Sequence, residues 1–285
     1  MRGIDRYSPS QLRKCLVRSF WKFKKVHGVY PNLVDPLRFN EKIVWFKFFA
    51  EIKVPETGNK LLTESFIPEE CKAVIRCPEI LWHSTSSTLP ANEYLMPGSY
   101  YLKSNHGSRM SRKIHYPLSR DDRTELEQLA AYWLNKVYGF KRGEWWYDEF
   151  QKEIFIEKSI SEDDPSVTWC FFVFRTVNPF TAVVTKKPSG TETIWLDESG
   201  TPLAIQKNPE KLDGFELPEN YLTIQQLALE VGRAHAFVRV DFLLGPKDEI
   251  FLGEMTFSPG NGHIKRPATV DKALGELWVH HANER

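Results

Sequence analysis

Arg239, Asp241 and Glu254 are the residues whose types and spacing most directly suggest chemistry. Arg239 and Asp241 stand two apart in Phe237-Val-Arg-Val-Asp-Phe-Leu-Leu, an apolar and β-branched run. On a strand, side chains at i and i+2 share a face. Residues 250–252 resume the apolar character after Gly245-Pro-Lys-Asp, a turn by composition. The spacing therefore predicts a hairpin with Asp241 and Glu254 near matching ends. A guanidinium and two carboxylates converging from adjacent strands suit a magnesium–polyphosphate site, in which hard carboxylate oxygens hold the metal and the guanidinium faces the phosphate charge. Ser258-Pro-Gly-Asn-Gly follows at once, and its Ser258, Gly260, Asn261 and Gly262 make a flexible candidate substrate loop. A solvent-facing ion pair is the alternative reading of Arg239 and Asp241. The rest of the chain decides between the two.

Two earlier segments carry related chemistry. Lys103-Ser-Asn-His-Gly-Ser-Arg-Met-Ser-Arg-Lys places a lysine at a strand end beside a loop of Gly and Ser. Such a loop offers a point charge and exposed backbone N–H groups to phosphates. It lacks the glycine spacing and terminal Lys-Ser/Thr of a Walker A loop, and alone it reads as a polar surface hairpin. Ile154-Phe-Ile-Glu-Lys-Ser-Ile is an apolar strand running into Glu157 and Lys158, able to present edge backbone groups and an acid to a purine.

The order of these three segments resembles the ATP-grasp superfamily, and more narrowly the TupA-like family of teichuronopeptide biosynthesis. The resemblance runs from about residue 20 to 275. It rests on His27-Gly with Pro31-Asn-Leu, Phe39-Asn-Glu-Lys-Ile, Lys103 with Asn105-His-Gly-Ser, Ile156-Glu, Phe237-Val-Arg-Val-Asp, and Gly253-Glu-Met-Thr-Phe-Ser-Pro-Gly. It implies an α+β ATP-grasp fold that holds ATP and Mg2+ between two subdomains. Residues 96–160 would be the small subdomain and 161–285 the large one, after a mixed N-terminal region at 1–95. Lys103 would contact a phosphate, with a flap of His106, Gly107, Ser108, Arg109 and Ser111 over the triphosphate. Glu157 would face the adenine amino group near Lys158 and Ile160, and Asp163 or Glu162 would reach the ribose. Asp241 and Glu254 would hold Mg2+, and Arg239 would stabilise the transferring phosphoryl group.

Three departures from the pattern stand out. Thr256 occupies the place where the superfamily often has a third, Asn ligand, although Thr also fits the TupA-like pattern. Thr168-Trp-Cys replaces Asp-Tyr-Lys, leaving Lys186 or Arg175 to supply the missing cation. Arg109 stands where a second flap glycine is common. The implied activity is an ATP-dependent carboxylate–amine ligase working through an acyl phosphate. Its implied task is to amidate a uronic acid with an amino acid or other amine in bacterial capsule or surface-polysaccharide synthesis. A sugar or alcohol kinase, and a non-catalytic nucleotide-binding scaffold of a glycan-assembly complex, are the rival functions.

The elements that must position these residues alternate irregularly, which gives an α+β class without a strict βαβ rhythm. Leu12, Leu16, Phe20 and Phe23 recur at helical spacing. A second helix restarts at Phe39 with Asn40 as its cap, and others are expected over 121–138, ending before Gly139, and over 221–235, capped by Thr223. Strands are expected over 99–104, 153–160, 168–175, 181–186 and 194–196. Residues 55–95 show no period that orders them.

At 285 residues, 41% hydrophobic and 26% charged, the chain has the composition of a soluble globular protein. Its formal charge of +1 hides an asymmetry: residues 1–28 hold eight Arg or Lys against the single acid Asp5. A basic amphipathic helix suits an anionic membrane or a polyanion, but such stripes more often pack on the body, and that is the reading favoured here. Nucleic acid is not the expected partner, because the protein as a whole is not basic and no recognised binding module appears. Four dispersed cysteines have no metal-ligand spacing and point to reduced thiols. With no membrane-length apolar run, the expected location is cytoplasmic, at most on the inner face of the membrane.

Overall fold

The computed structural model describes residues 2–161, 167–175, 177–187, 190–203, 216–246 and 249–279. Among these, the apolar runs bounded by turn residues form two sheets. The smaller has the order β2-β5-β3-β4, from Ile80–Ser84, Ile154–Lys158, Gly98–Ser104 and Ser111–Tyr116, all antiparallel. The larger has the order β1-β10-β9-β6-β7-β8, from Ile75–Arg76, Ile250–Thr256, Phe237–Leu244, Val167–Phe174, Val177–Lys187 and Gly190–Leu196. Its pairings are antiparallel except for β1 on β10. The stretch 55–95, which has no readable period, sends one short strand to each sheet and otherwise holds short 3-10 turns and irregular loop.

Helix α1 (Pro9–His27) begins at a capping box: Gln11 N–H donates to Ser8 Oγ and Ser8 N–H to Gln11 Oε1. It ends at Gly28, which takes φ 80° and donates its N–H to the Lys24 carbonyl. Cys15, Ser19 and Phe23 form its buried stripe, while Trp21 and most of its cations are exposed. Helix α2 (Phe39–Phe49) is covered on nearly all sides. Phe39 touches the rings of Phe172, Phe174, Phe237 and Trp278, fastening α2 and α5 (Ala268–Leu277) to the large sheet.

Several expected helix ends shift. Asn40 is not a cap: it lies inside α2, donates its N–H to Asp271 Oδ1 at 2.9 Å, and so joins α2 to α5. Helix α3 (Arg120–Leu134) stops short of Gly139, because Asn135 takes over the terminal carbonyl of Ala131 with both its backbone and its side chain. Helix α4 (Tyr221–Gly232) starts after Asn220, so Thr223 lies in its first turn rather than at its cap.

Candidate functional site

The hairpin forms with one irregularity that decides the geometry. From Ile250 to Leu252 the β10 residues pair with Leu244 to Phe242, but beyond the bulge at Gly253 Glu254 pairs with Asp241 and Thr256 with Arg239. Directly paired residues share a face. Were Gly253 paired in the regular register, Glu254 would oppose Val240 and point away from Asp241; bulging Gly253 out re-aims it. Arg239 Nε and Nη2 donate to Asp241 Oδ1 and Oδ2 at 2.7 and 2.5 Å. Asp241 is only 6% exposed. Burial raises its carboxyl pKa and the guanidinium opposes that rise. Burial disfavours the charge on Arg239, but the Asp241 carboxylate outweighs it and keeps the guanidinium firmly protonated. Thr256 Oγ1 is buried beside them and has no hydrogen-bond partner among the described residues. Cys170, in the place of the missing lysine, is the register partner of Asp241 on β6 and is buried.

On the small sheet, Lys103 and Glu157 lie on neighbouring strands, β3 and β5, and their side chains form an ion pair. Lys158 ends β5 with an exposed side chain and its N–H on the Glu79 carbonyl; Ile160 follows, half-buried. The loop after β3 divides in two. His106 and Gly107 are buried, with His106 Nδ1 2.7 Å from Ser104 Oγ and its pKa lowered to about 4, chiefly by burial. Ser108 and Arg109 are exposed, and Ser111 opens β4 opposite Lys103. Arg109 adopts φ 60°, a left-handed conformation that costs a non-glycine residue about 1 kcal/mol.

Lys60 is a functional candidate that sequence reasoning missed. Asn59 Oδ1 accepts the Leu61 N–H at the start of the 3-10 turn Lys60–Phe66. Lys60 N–H donates to the Asn105 carbonyl at 3.1 Å, and Nζ donates to the carbonyl of Gly107. Burial lowers its pKa, Glu254 opposes that, and Lys103 reinforces it. The ammonium is therefore within electrostatic reach of the acid of the large sheet and the lysine of the small one. Its only sequence signal is a lysine after Gly58-Asn59 in a turn-rich stretch.

The loop after β10 is a 3-10 turn, Pro259–Gly262, with Gly260 and Asn261 in left-handed conformations. Asn261 and Arg109 are the two non-glycine residues with positive φ among those described. Ser258 Oγ donates to Glu144 Oε1, and Glu144 Oε2 is buried without a partner among the described residues. Lys47 of α2, 0% exposed, donates to the carbonyls of Asn261 and Arg142 at 3.1 and 3.2 Å and to Asn261 Oδ1. Burial lowers its pKa to about 7, with Glu144 opposing. A Cβ on Gly262 would come within 2.7 Å of the Asn40 carbonyl, so only glycine lets this loop seat against α2. Glu162 and Asp163, expected at the ribose, lie outside the described residues, as does the Lys186 side chain; Arg175 is exposed just past β6.

Two sheets, one carrying a lysine and a glycine-containing loop and the other an acid–guanidinium hairpin, make this an α+β protein of ATP-grasp type. The TupA-like ATPgrasp family model matches residues 53–279, and the chain belongs to that family. The sequence matches none of the curated proteins. Among solved structures it is similar to the macrocyclase MdnC of Microcystis aeruginosa bound to precursor peptide MdnA, at 14% identity and TM-score 0.42, covering 85% of this chain and 67% of that one. It is also similar to the VanG D-Ala:D-Ser ligase of Enterococcus faecalis, at 14% identity and TM-score 0.45, covering 78% and 60%. A third is the ATP-grasp ligase PsnB with a minimal-precursor variant, Mg and ADP, at 12% identity and TM-score 0.42, covering 80% and 60%. The chain thus spans about 60 to 67% of the length of these relatives. No helix among the described residues is long and apolar enough to cross a membrane.

Proposed function

We propose that the chain is an ATP-dependent carboxylate–amine ligase that activates a uronic acid as an acyl phosphate and joins it to an amino acid or other amine, in bacterial capsule or surface-polysaccharide synthesis. The observation that carries the reading is the register of Arg239, Asp241, Glu254 and Thr256 on one face of the hairpin. The donor set fits a magnesium nucleotide: two carboxylates in register lie beside a buried hydroxyl lacking a partner. Among the described residues no group of three or more His, Cys, Asp or Glu could hold a metal alone. Magnesium typically takes one or two carboxylates and fills its shell with phosphate oxygens and water.

Bound Mg–ATP would supply the γ-phosphoryl group to a carboxylate oxygen, with ADP departing, so that the amine can displace phosphate from the acyl carbon. Asp241 and Glu254 hold the cation, with Thr256 beside them. Arg239 faces the charge that develops on the transferring group. Lys103 contacts a phosphate, and Lys60 supplies the cation that the Thr168-Trp-Cys departure removes. Ser108 and Arg109, exposed on their loop, cover the triphosphate and exclude water that would hydrolyse the acyl phosphate. Glu157, Lys158 and Ile160 take the adenine and Asp163 the ribose, while Ser258, Gly260, Asn261 and Gly262 position the acceptor. In this reading residues 96–160 and 161–285 are the two halves of the clamp, 1–95 flanks them, and the protein works on the cytoplasmic side of the membrane.

Phosphate release from ATP, followed with a panel of uronic acids and amines, tests the proposal. Release that requires both an acid and an amine, and stops on EDTA addition, is the expected result. ATP binding without amine-dependent release across the panel would overturn it.

A further inference from the structure

One face of α1 lies on the acceptor side of the site. Cys15 Sγ donates to the Phe140 carbonyl and Arg18 Nη1 to the Lys141 carbonyl, both at 2.8 Å. His263 Nε2 donates to the Ser19 carbonyl at 3.1 Å, just past the acceptor loop. One turn further along the same face stands Lys22, exposed. Arg142, next to Lys141, is exposed as well; its Nη1 donates to the Tyr138 hydroxyl at 3.2 Å, and its guanidinium lies 4.4 Å from the Tyr138 ring centre. The Tyr138 hydroxyl in turn meets Ser108 Oγ at 2.8 Å, and Arg109 follows Ser108.

Helix α1, the 3-10 turn Phe140–Arg142 and the flap thus bring three cations to the edge of one site. Partial burial lowers the Lys22 pKa first, then Arg142 and Arg109 lower it further, while Glu144 opposes. Glu144 is committed below to Ser258. Among the described residues no acid forms an ion pair with Lys22, Arg109 or Arg142. Like charges lining one side of a cleft raise the local concentration of anions.

We infer that Lys22 and Arg142, next to the flap that carries Arg109, form a subsite for an anionic group that the substrate carries in addition to the carboxylate being activated. The inference rests on the ligase reading above and narrows its substrate to a polyanion. Two sources share this chemistry: the neighbouring carboxylate of an oligouronate, and the diphosphate of a sugar nucleotide.

Calorimetry on the full chain loaded with Mg–ADP compares trigalacturonate with galacturonate and UDP-glucuronate with glucuronate. One of the two larger ligands should bind at least about tenfold tighter than its monomer, as a charge-assisted contact gives. That advantage should shrink with added salt. Lys22→Ala and Arg142→Ala should each remove most of the advantage while leaving monomer and Mg–ADP affinities unchanged. Which ligand shows it identifies the source. Monomers that bind while neither larger ligand gains, or a gain that survives both substitutions and Lys22→Glu, would overturn the subsite alone. Mg–ADP binding with no uronate bound at all would overturn the uronate reading, and the subsite with it.

Discussion

The hairpin and the loop after β10 both bury charge, but they compensate it differently. Arg239 meets Asp241 two residues away on the same strand, with both hydrogen bonds formed inside one hairpin. Lys47 finds its partners 95 and 214 residues along the chain, and the Glu144 it balances is held by Ser258. The first arrangement is complete as soon as the strand forms. The second exists only when α2, the Phe140–Arg142 turn and the loop after β10 have assembled, so it ties function to the whole fold. Local charge chemistry should therefore fail in catalysis when altered, and the long-range network should fail first in stability.

The largest expected effect is on the hairpin. Asp241→Asn should lower amine-dependent phosphate release by about 10³-fold, the scale of losing a charge-stabilising group. It should also weaken Mg–ADP binding measured by calorimetry. Retained turnover would remove Asp241 from the metal site. Inserting an alanine between Gly253 and Glu254 should produce a comparable loss, because Glu254 then moves opposite Val240 and faces the other side of the sheet. Gly253→Ala separates residue count from residue type. An added Cβ meets only ordinary contacts at 3.4 Å, so this variant should keep most of its activity. Equal loss in both would show that the bulge itself is not what matters.

Lys47→Met should act on the other side of the comparison. It leaves Glu144 and the Asn261 carbonyl without their cation and should cost about 3 kcal/mol in urea unfolding. Adding Glu144→Gln should recover part of that loss, since the two sites are coupled. Strict additivity would break the proposed pairing.

The effect that is smallest at neutral pH concerns His106, whose pKa falls from 6.5 to about 4 in the fold. Below pH 6.5 the unfolded chain takes up a proton that the folded ring refuses. Stability should fall as pH drops from 6.5 toward 4, by up to about 3 kcal/mol from this group. His106→Gln should flatten that slope in pH-dependent melts.

The hairpin was legible because its chemistry is periodic: two residues place Arg239 with Asp241, and a turn composition returns the chain to Glu254. The glycine within β10 was the visible trace of the bulge, although its effect on facing depends on a register that only pairing fixes. The four-stranded sheet shows the limit of strand-by-strand reading. Lys103 and Glu157 were assigned separate ligand contacts, and the fold places them on adjacent strands where they neutralise each other. Lys47 was visible only as one position of an aromatic-rich helix, because nothing local marks a cation whose partners arrive from residue 261. Lys60 was hidden for the same reason, in a run of 3-10 turns too short to carry a period.

The pairing of Lys103 and Arg239 with acids has a thermodynamic consequence. Lys103 holds Glu157 and Arg239 holds Asp241, so these two pairs are each internally neutralised. A triphosphate that draws Arg239 away releases Asp241 as a bare carboxylate beside Glu254, and two adjacent anions then call for a divalent cation. A metal seated there first would, equally, free the guanidinium for phosphate. Under the proposed function, nucleotide and metal would be exchange partners for one ion pair, each raising the affinity of the other by the same factor. Free nucleotide should therefore bind poorly, and the protein should select the complex of nucleotide with metal over either one alone.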